Sequence, residues 1–229
     1  MSTIAIASLS ITESMRLTGV RWSTYEALLH DLSPHRRLRL TYFQGTLDIM
    51  VPSPEHELYK ETLGKFVETI AEEFDIDYYP LGSTTFQLPD RCGTEPDKSY
   101  YICHPRSIPS KRQLQLDRDP PPDLVVEVDL TRSSKNRLEV MAQLGVLEVW
   151  RYDGRRLAVY HLEEDIYVER NRSLAFPNLA VRRLSPFLSR AMDENYLNLV
   201  REFRTWVRRQ IPANNKNGRV RSPESPVRS

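Results

Sequence analysis

The sequence predicts an α/β fold of the α+β kind, built on a mixed sheet, and two observations predict it. A helix with apolar residues at helical spacing is followed by three short strand-like runs with no helix between them, which favours antiparallel pairing. A second helix then separates the third run from a fourth, which permits a parallel crossover. The central order is therefore helix, three strands, helix, strand.

The composition is that of an ordinary globular protein. The 229 residues are 40% hydrophobic and 28% charged, with a formal net charge of +1. No apolar run approaches the ~20 residues that a membrane-spanning helix needs, and the N-terminus lacks the basic start of a secretory signal. We therefore expect a cytoplasmic protein without a membrane segment, in which Cys92 and Cys103 are reduced.

Three stretches divide the chain. Residues 1–20 are expected to be poorly ordered. Residues 21–211 form the predicted domain. Residues 212–229 are polar and basic, and this tail is predicted to be disordered.

The first elements of the domain carry local signals. Ser23 and Glu26 form a capping box for a short helix that ends near Asp31. Residues 38–51 are typical of a hairpin that bends at 43–45.

A long helix is predicted to begin at Ser53-Pro54. Proline suits the first helical position, and Glu55 and Glu57 favour the positive end of the helix. Its buried stripe is Tyr59, Leu63, Phe66, Val67, Ile70 and Phe74.

The remaining elements follow from strand-like runs, caps and turns. A helix capped by Ser133 or Ser134 is predicted to end at Gly145. A final amphipathic helix opens at Asp193 and is predicted to bury Leu197, Val200, Phe203 and Val207. Strands are predicted at about 83–88, 97–103, 123–129, 147–152 and 157–162, the last two joined by an Asp-Gly turn.

The strand at 123–129 is where chemistry is expected. Side chains alternate along a strand, so Asp123, Glu127 and Asp129 share one face. Acids are poor strand formers and are costly to bury unless they are paired or bind metal.

A neighbouring acid completes a candidate metal site. Asp123 and Glu127 lie roughly 13 Å apart along the strand, too far to share one small cation. Antiparallel pairing would set Asp97 opposite Glu127, and it would also bring Tyr101 opposite Asp123. Asp97, Glu127 and the Val128 carbonyl, with waters, could then bind Mg²⁺ or Mn²⁺ and activate water against a phosphodiester. The alternative is that these acids are ordinary edge-strand or turn residues.

Arg137 is a candidate partner for these acids. It would lie in the first turn of the second helix, at the end of the apolar stripe, where a cation opposes the helix dipole and needs an anion nearby. Glu127 on the preceding strand can supply that anion, and the arginine could stabilise charge that develops in phosphoryl chemistry. The alternative is a surface arginine that lies along the stripe.

Five motifs carry a family resemblance. They are Gly45-x-Leu47-x-Ile49-Met50, Ser53-Pro54-Glu55-His56, Glu95-Pro96-Asp97, Pro122-Asp123-Leu124-Val125-Val126-Glu127-Val128 and Gly145-Val146-x-Glu148-Val149-Trp150. Together, between about residues 22 and 162, they resemble the Uma-two family of restriction-endonuclease-like proteins, in the PD-(D/E)XK nuclease superfamily. The resemblance implies a restriction-endonuclease-like core with an added hairpin and a C-terminal helix. It also implies a magnesium-dependent phosphodiesterase site whose two acids are Asp97 and Glu127.

The sequence departs from this family pattern at the catalytic lysine. In the family that lysine stands on the second helix, where this chain has Arg137, and the strand position that most of the superfamily uses is Asp129. Arginine can stabilise charge but cannot act as a base. Lys135 lies roughly 200° around the helix from Arg137 and is a poor substitute.

The leading interpretation is a metal-dependent DNA endonuclease in which Asp97 and Glu127 bind the metal. Asp123 would assist from further out, and Arg137 would stabilise developing charge. The alternative is a weakened or inactive nuclease-fold protein that binds nucleic acid, since Arg137 replaces the lysine. DNA is the expected partner, and a two-fold homodimer would suit a nuclease that cuts both strands.

Other charged residues give weaker signals. His56 and Glu57 are expected at a solvated helix start, with Glu57 as a candidate third carboxylate. The basic tail could add non-specific attraction to nucleic acid. Four basic side chains of the loop before the acidic strand could follow a phosphate backbone: Arg106, Lys111, Arg112 and Arg118.

Overall fold

The strands that the structure describes form two sheets, and one of these sheets contains the predicted core. The computed structural model describes residues 13–32, 38–103, 116, 119–130 and 135–211. The helices are α1 (Trp22–Leu32), α2 (Pro54–Phe74), α3 (Lys135–Gln143), α4 (Ser185–Leu188) and α5 (Tyr196–Arg208), and a 3₁₀ turn (Val181–Leu184) precedes α4. None of the described helices is both long and apolar enough to span a membrane.

The first sheet has five antiparallel strands. Their order is β1 (Glu13–Leu17), β3 (Thr46–Val51), β2 (Arg39–Phe43), β6 (Cys92–Thr94) and β5 (Phe86–Leu88). Gln44 and Gly45 join β2 to β3 with positive φ angles of 46° and 81°. Two such residues make the tight turn that a two-residue hairpin needs, so the predicted hairpin is confirmed.

The second sheet has six strands and is mixed. Their order is β11 (Ile166–Arg170), β10 (Leu157–Glu163), β9 (Glu148–Tyr152), β8 (Leu124–Val128), β7 (Lys98–Tyr101) and β4 (Tyr79–Pro80). Only β8 and β9 are parallel among these pairs, and α3 connects them. The predicted crossover is therefore confirmed. Of the five strands that the structure describes between α2 and α3, β4, β7 and β8 lie in this sheet, so the order helix, three strands, helix, strand holds within it.

Apolar side chains cover both faces of the six-stranded sheet. On one face Val126, Val128 and Trp150 pack with α2 and α5 in the largest core cluster. On the other face Val125 and Val149 pack with α3 and with Phe86 of the five-stranded sheet. Because both faces are covered, all five residues of β8 are buried, its acid included.

The long helix begins where the sequence predicts. Ser53 caps α2 by accepting a hydrogen bond from the His56 amide at 3.1 Å, and Pro54 is the first helical residue. At the end of α3, Gly145 takes a φ of 76° and its amide donates to the Ala142 carbonyl at 2.9 Å. This left-handed residue ends the helix as expected.

Two strand predictions require correction. The run at 83–88 was expected to pair antiparallel with the next strand, but it forms β5 (Phe86–Leu88), which lies in the five-stranded sheet beside β6. The strand that pairs with β7 is instead the two-residue strand β4. So short a strand, with a proline, carries no alternation that a sequence pattern could reveal. The prediction that residues 1–20 are poorly ordered is wrong for Glu13–Leu17, because these residues form β1. Arg16 of this strand forms an ion pair with Asp48 at 2.6 Å. Residues 1–12, the tail at 212–229 and the four basic loop residues lie outside the described part of the chain.

Helix starts differ by a few residues from the predictions. α1 begins at Trp22, so Ser23 lies inside its first turn. α5 begins at Tyr196, because the Asn195 side chain caps it by accepting from the Asn198 amide at 3.1 Å. Leu199 is consequently the buried residue of the first turn, and Leu197 is 56% exposed. The caps proposed for α3, Ser133 and Ser134, lie outside the described residues.

Candidate active site

Strand register brings the two predicted acids together. In the antiparallel pair of β7 and β8, Lys98 faces Val126 and Tyr100 faces Leu124. One further residue along each strand sets Asp97 opposite Glu127, as the sequence predicts. Asp97 is fully buried and Glu127 is 4% exposed.

The Asp97 carboxylate is held by one oxygen. Its Oδ2 accepts a hydrogen bond from the Val128 amide at 2.8 Å and lies 3.2 Å from His56 Nε2. Its Oδ1 is buried and accepts no hydrogen bond from the described residues. Burial acts to raise the pKa of Asp97, but His56, the Arg137 charge and the Val128 amide outweigh it, so the pKa is lowered.

Glu127 has the same asymmetry. Its Oε2 accepts a hydrogen bond from Arg137 Nη1, while its buried Oε1 has no hydrogen-bond partner among the described residues. Burial raises the pKa of Glu127 to about 7, Arg137 acts against the rise, and the Asp97 charge adds to it. For Arg137 burial would lower the pKa, but Glu127 and Asp97 outweigh it and raise the pKa. The arginine therefore stays charged beside both acids.

The two open oxygens fit a hard divalent cation. Mg²⁺ is commonly bound by one or two carboxylates and several waters, and Mn²⁺ also prefers such ligands. The described residues form no group of three or more His, Cys, Asp or Glu side chains that could hold a metal. The oxygens that could hold such a cation are Asp97 Oδ1 and Glu127 Oε1, and two carboxylates are fewer than the four ligands of a closed zinc site. The Val128 carbonyl as a third ligand stays a prediction.

The other acids of the strand have main-chain or arginine partners. Asp123 Oδ2 accepts hydrogen bonds from the amides of Ile102 (2.7 Å) and Cys103 (2.9 Å), and so fixes the chain just after β7. Its assistance to catalysis stays a prediction. Asp129, at the superfamily's strand lysine position, accepts a hydrogen bond from Arg151 on the neighbouring strand.

His56 is the residue at this site that the sequence interpretation misplaced. A solvated helix start is wrong for it, because His56 is only 1% exposed and lies against Asp97. The helical period contained the signal, since Tyr59 and Leu63 of the buried stripe follow His56 by three and seven residues. Burial acts to lower the pKa of His56, but Asp97 and Glu57 outweigh it and raise the pKa to about 9.

Glu57 faces the outer side of this histidine. Its Oε1 lies 3.6 Å from His56 Nδ1, and its Oε2 accepts from Lys60 at 2.5 Å. The side chain is 41% exposed. The contact with His56 lowers the pKa of Glu57 to about 2, with burial opposing and Lys60 contributing. A role for Glu57 as a third carboxylate stays a prediction.

The fold and the paired acids define a class of protein. The arrangement is the one that the family resemblance implies for a restriction-endonuclease-like fold. It consists of a helix, antiparallel strands that pair two acids, a crossover helix with a cation and a parallel strand. The family model for Uma2, described as putative restriction endonuclease, matches residues 22–193. This chain therefore belongs to the Uma2 family.

A crystal structure of a protein from Anabaena variabilis, described as a putative nuclease belonging to DUF820, is 14% identical to this chain. The match covers 73% of this chain and 90% of that one, with a TM-score of 0.42. No curated protein matches the chain.

Proposed function

We propose that this protein is a divalent-metal-dependent nuclease that hydrolyses DNA phosphodiester bonds. The observation that supports it best is the pair of buried acids, Asp97 and Glu127, on adjacent strands, each with one open carboxylate oxygen. Membership of the Uma2 family supports the nuclease class. The metal, the DNA substrate and the residue roles are the proposed parts.

The residues divide the task between holding and stabilising. Asp97 and Glu127 would hold Mg²⁺ or Mn²⁺ through Oδ1 and Oε1. When bound, such an ion polarises the phosphate and lowers the pKa of water. The Val128 amide orients Asp97, and Arg137 orients Glu127. Arg137 stays protonated and cannot take a proton from water, so its contribution would be to stabilise negative charge on the phosphate.

Plasmid cleavage tests the proposal. With Mg²⁺ or Mn²⁺ the wild type should nick or linearise supercoiled DNA, and Glu127→Ala should lose this activity. We expect the loss to exceed the ~10- to 100-fold that removal of an outer-shell partner costs. Glu139→Ala is the matched control, because Glu139 is an exposed acid on α3, two residues from Arg137. Equal nicking by Glu127→Ala and the control would refute the assignment.

A second function is favoured by Arg137 itself. The arginine stands where the family has its lysine and is bound to Glu127, which is compatible with a weakened site that retains nucleic acid without cutting it. Such a protein would shift DNA in a gel, but cut none with any divalent metal.

Arg137→Lys separates the two functions. A gain of cleavage would indicate a site weakened at this position, whereas unchanged activity would argue against a role for the position. Strong cleavage by the wild type would exclude the binding-only function.

A further inference from the structure

His56 is buried against the candidate site, with a carboxylate near each ring nitrogen. It is 1% exposed, and neither ring nitrogen makes a well-formed hydrogen bond with the described residues. Nε2 nevertheless lies 3.2 Å from Asp97 Oδ2, within ion-pair distance. A buried polar side chain is costly unless it has a partner, and on the Nε2 side of His56 that partner is the Asp97 carboxylate.

The Asp97 carboxylate is held from two sides. Two groups meet its Oδ2 from different elements: the Val128 amide from β8, and His56 Nε2 from the first turn of α2. The first turn is fixed in place by the Ser53 cap and by Pro54. With Oδ2 held between strand and helix, the carboxylate cannot rotate freely, and Oδ1 is the oxygen left open.

We infer that His56 is a positioning residue that orients Asp97 so that Oδ1 is presented to the metal. The inference rests on the proposed metal site and adds a residue to it. Partners of ligating carboxylates commonly tune metal affinity in this way, and their loss costs about 10- to 100-fold. His56 therefore acts through Asp97, and it need not touch the metal or the DNA.

A pair of amide substitutions tests the reach of the side chain. His56→Gln can place a donor near the position of Nε2, while His56→Asn carries the same amide one methylene short of Asp97. Mn²⁺ alone is the probe. Its dissociation constant is measured by titration calorimetry or from the electron paramagnetic resonance signal of the free ion. His161→Asn on β10 is the control, because it replaces another histidine two strands away from β8.

We expect His56→Asn to weaken Mn²⁺ binding by about 10- to 100-fold. His56→Gln and His161→Asn should bind Mn²⁺ close to the wild type. In plasmid cleavage the concentration of Mn²⁺ needed for half-maximal rate should rise for His56→Asn, with much of the rate recovered at saturating metal. Thermal unfolding without metal shows whether each variant is folded.

Three results would overturn the inference, and they separate it from the proposed function. If Asp97→Ala abolishes Mn²⁺ binding but His56→Asn, although folded, binds like the wild type, then His56 is only a structural partner and the metal site stands. Equal losses in the glutamine and asparagine variants would refute positioning by reach. Absence of Mn²⁺ binding by the wild type would refute the metal site, and His56 positioning with it.

Discussion

Glu127 and Glu148 are buried glutamates on the adjacent parallel strands β8 and β9, and only one of them belongs to a candidate site. Glu127 is 4% exposed and Glu148 is fully buried. In both, burial is the main cause of a raised pKa. Neither burial nor a shifted pKa therefore distinguishes the acid of the candidate site, Glu127, from the structural acid Glu148.

The difference lies in what their oxygens accept. Glu148 Oε1 accepts from Trp150 Nε1 at 2.6 Å, and its Oε2 accepts from the amides of Leu174 (2.8 Å) and Ala175 (2.9 Å). Both oxygens are satisfied, and they tie a later loop to the sheet. Glu127 Oε1 accepts no hydrogen bond from the described residues, and Glu127 faces a second acid, so it could bind a cation.

The largest expected effect on stability comes from Glu148→Ala. Truncation leaves three donors without an acceptor, of which the Trp150 indole and the Ala175 amide are buried and the Leu174 amide is part-buried. Each buried donor left in this way costs about 1–3 kcal/mol. The free energy of unfolding should therefore fall by about 4 kcal/mol or more, as measured by urea denaturation. Glu139→Ala, on the surface of α3, should leave it nearly unchanged. A loss below about 1 kcal/mol for Glu148→Ala would show that water or other groups replace the carboxylate, and the contrast with Glu127 would weaken.

A smaller effect is expected in a double-mutant cycle between Glu127 and Arg137. Removing one member of a buried ion pair leaves the other charge uncompensated, whereas removing both does not. The variants Glu127→Gln, Arg137→Met and their combination should give a coupling energy of about 1–3 kcal/mol, with the double variant more stable than the sum of the single changes predicts. Strictly additive losses would mean that Arg137 does not stabilise Glu127 in the folded protein.

Most of the fold could be predicted because its signals are local. The Ser53 cap, the turn at Gln44-Gly45 and the stop at Gly145 each depend on a few neighbouring residues. β4 and β1 could not be predicted from the sequence. A two-residue strand such as β4 has no period, and β1 is defined by its pairing with the distant strand β3. The sheet that received β5 was decided by contacts across the chain.

The candidate site was predictable in part. The pairing of Asp97 with Glu127 followed from alternation and antiparallel register, which sequence contains. His56 was identifiable from the helical period, because it continues the stripe of Tyr59. The open oxygens were not predictable: whether an acid is satisfied depends on donors far along the chain, as the amide of Leu174 shows for Glu148.

The smallest expected effect extends the comparison to an acid near the surface. Glu73 on α2 accepts hydrogen bonds from Arg208 at 2.7 Å and from Arg204 at 2.6 Å. The bond with Arg208 lowers its pKa below the ordinary 4.5, burial opposes this, and Arg204 adds to it. The arginine contacts therefore outweigh burial at Glu73, whereas burial outweighs the favourable contacts and raises the pKa at Glu127 and Glu148.

Because the folded-state pKa of Glu73 is depressed, its contribution to stability is present above pH 4.5 and is lost as the pH falls through the folded-state value. Glu73→Gln should therefore be less stable than the wild type at pH 7 by less than about 1 kcal/mol, since the guanidinium groups are partly exposed. The difference should shrink toward zero as the pH is lowered well below 4.5, as followed by urea denaturation at each pH. The control Glu139→Gln replaces an exposed acid on α3 and should leave the free energy of unfolding at pH 7 nearly unchanged. A gap between wild type and Glu73→Gln that stays constant with pH would show that packing, and not charge, holds Glu73 to α5.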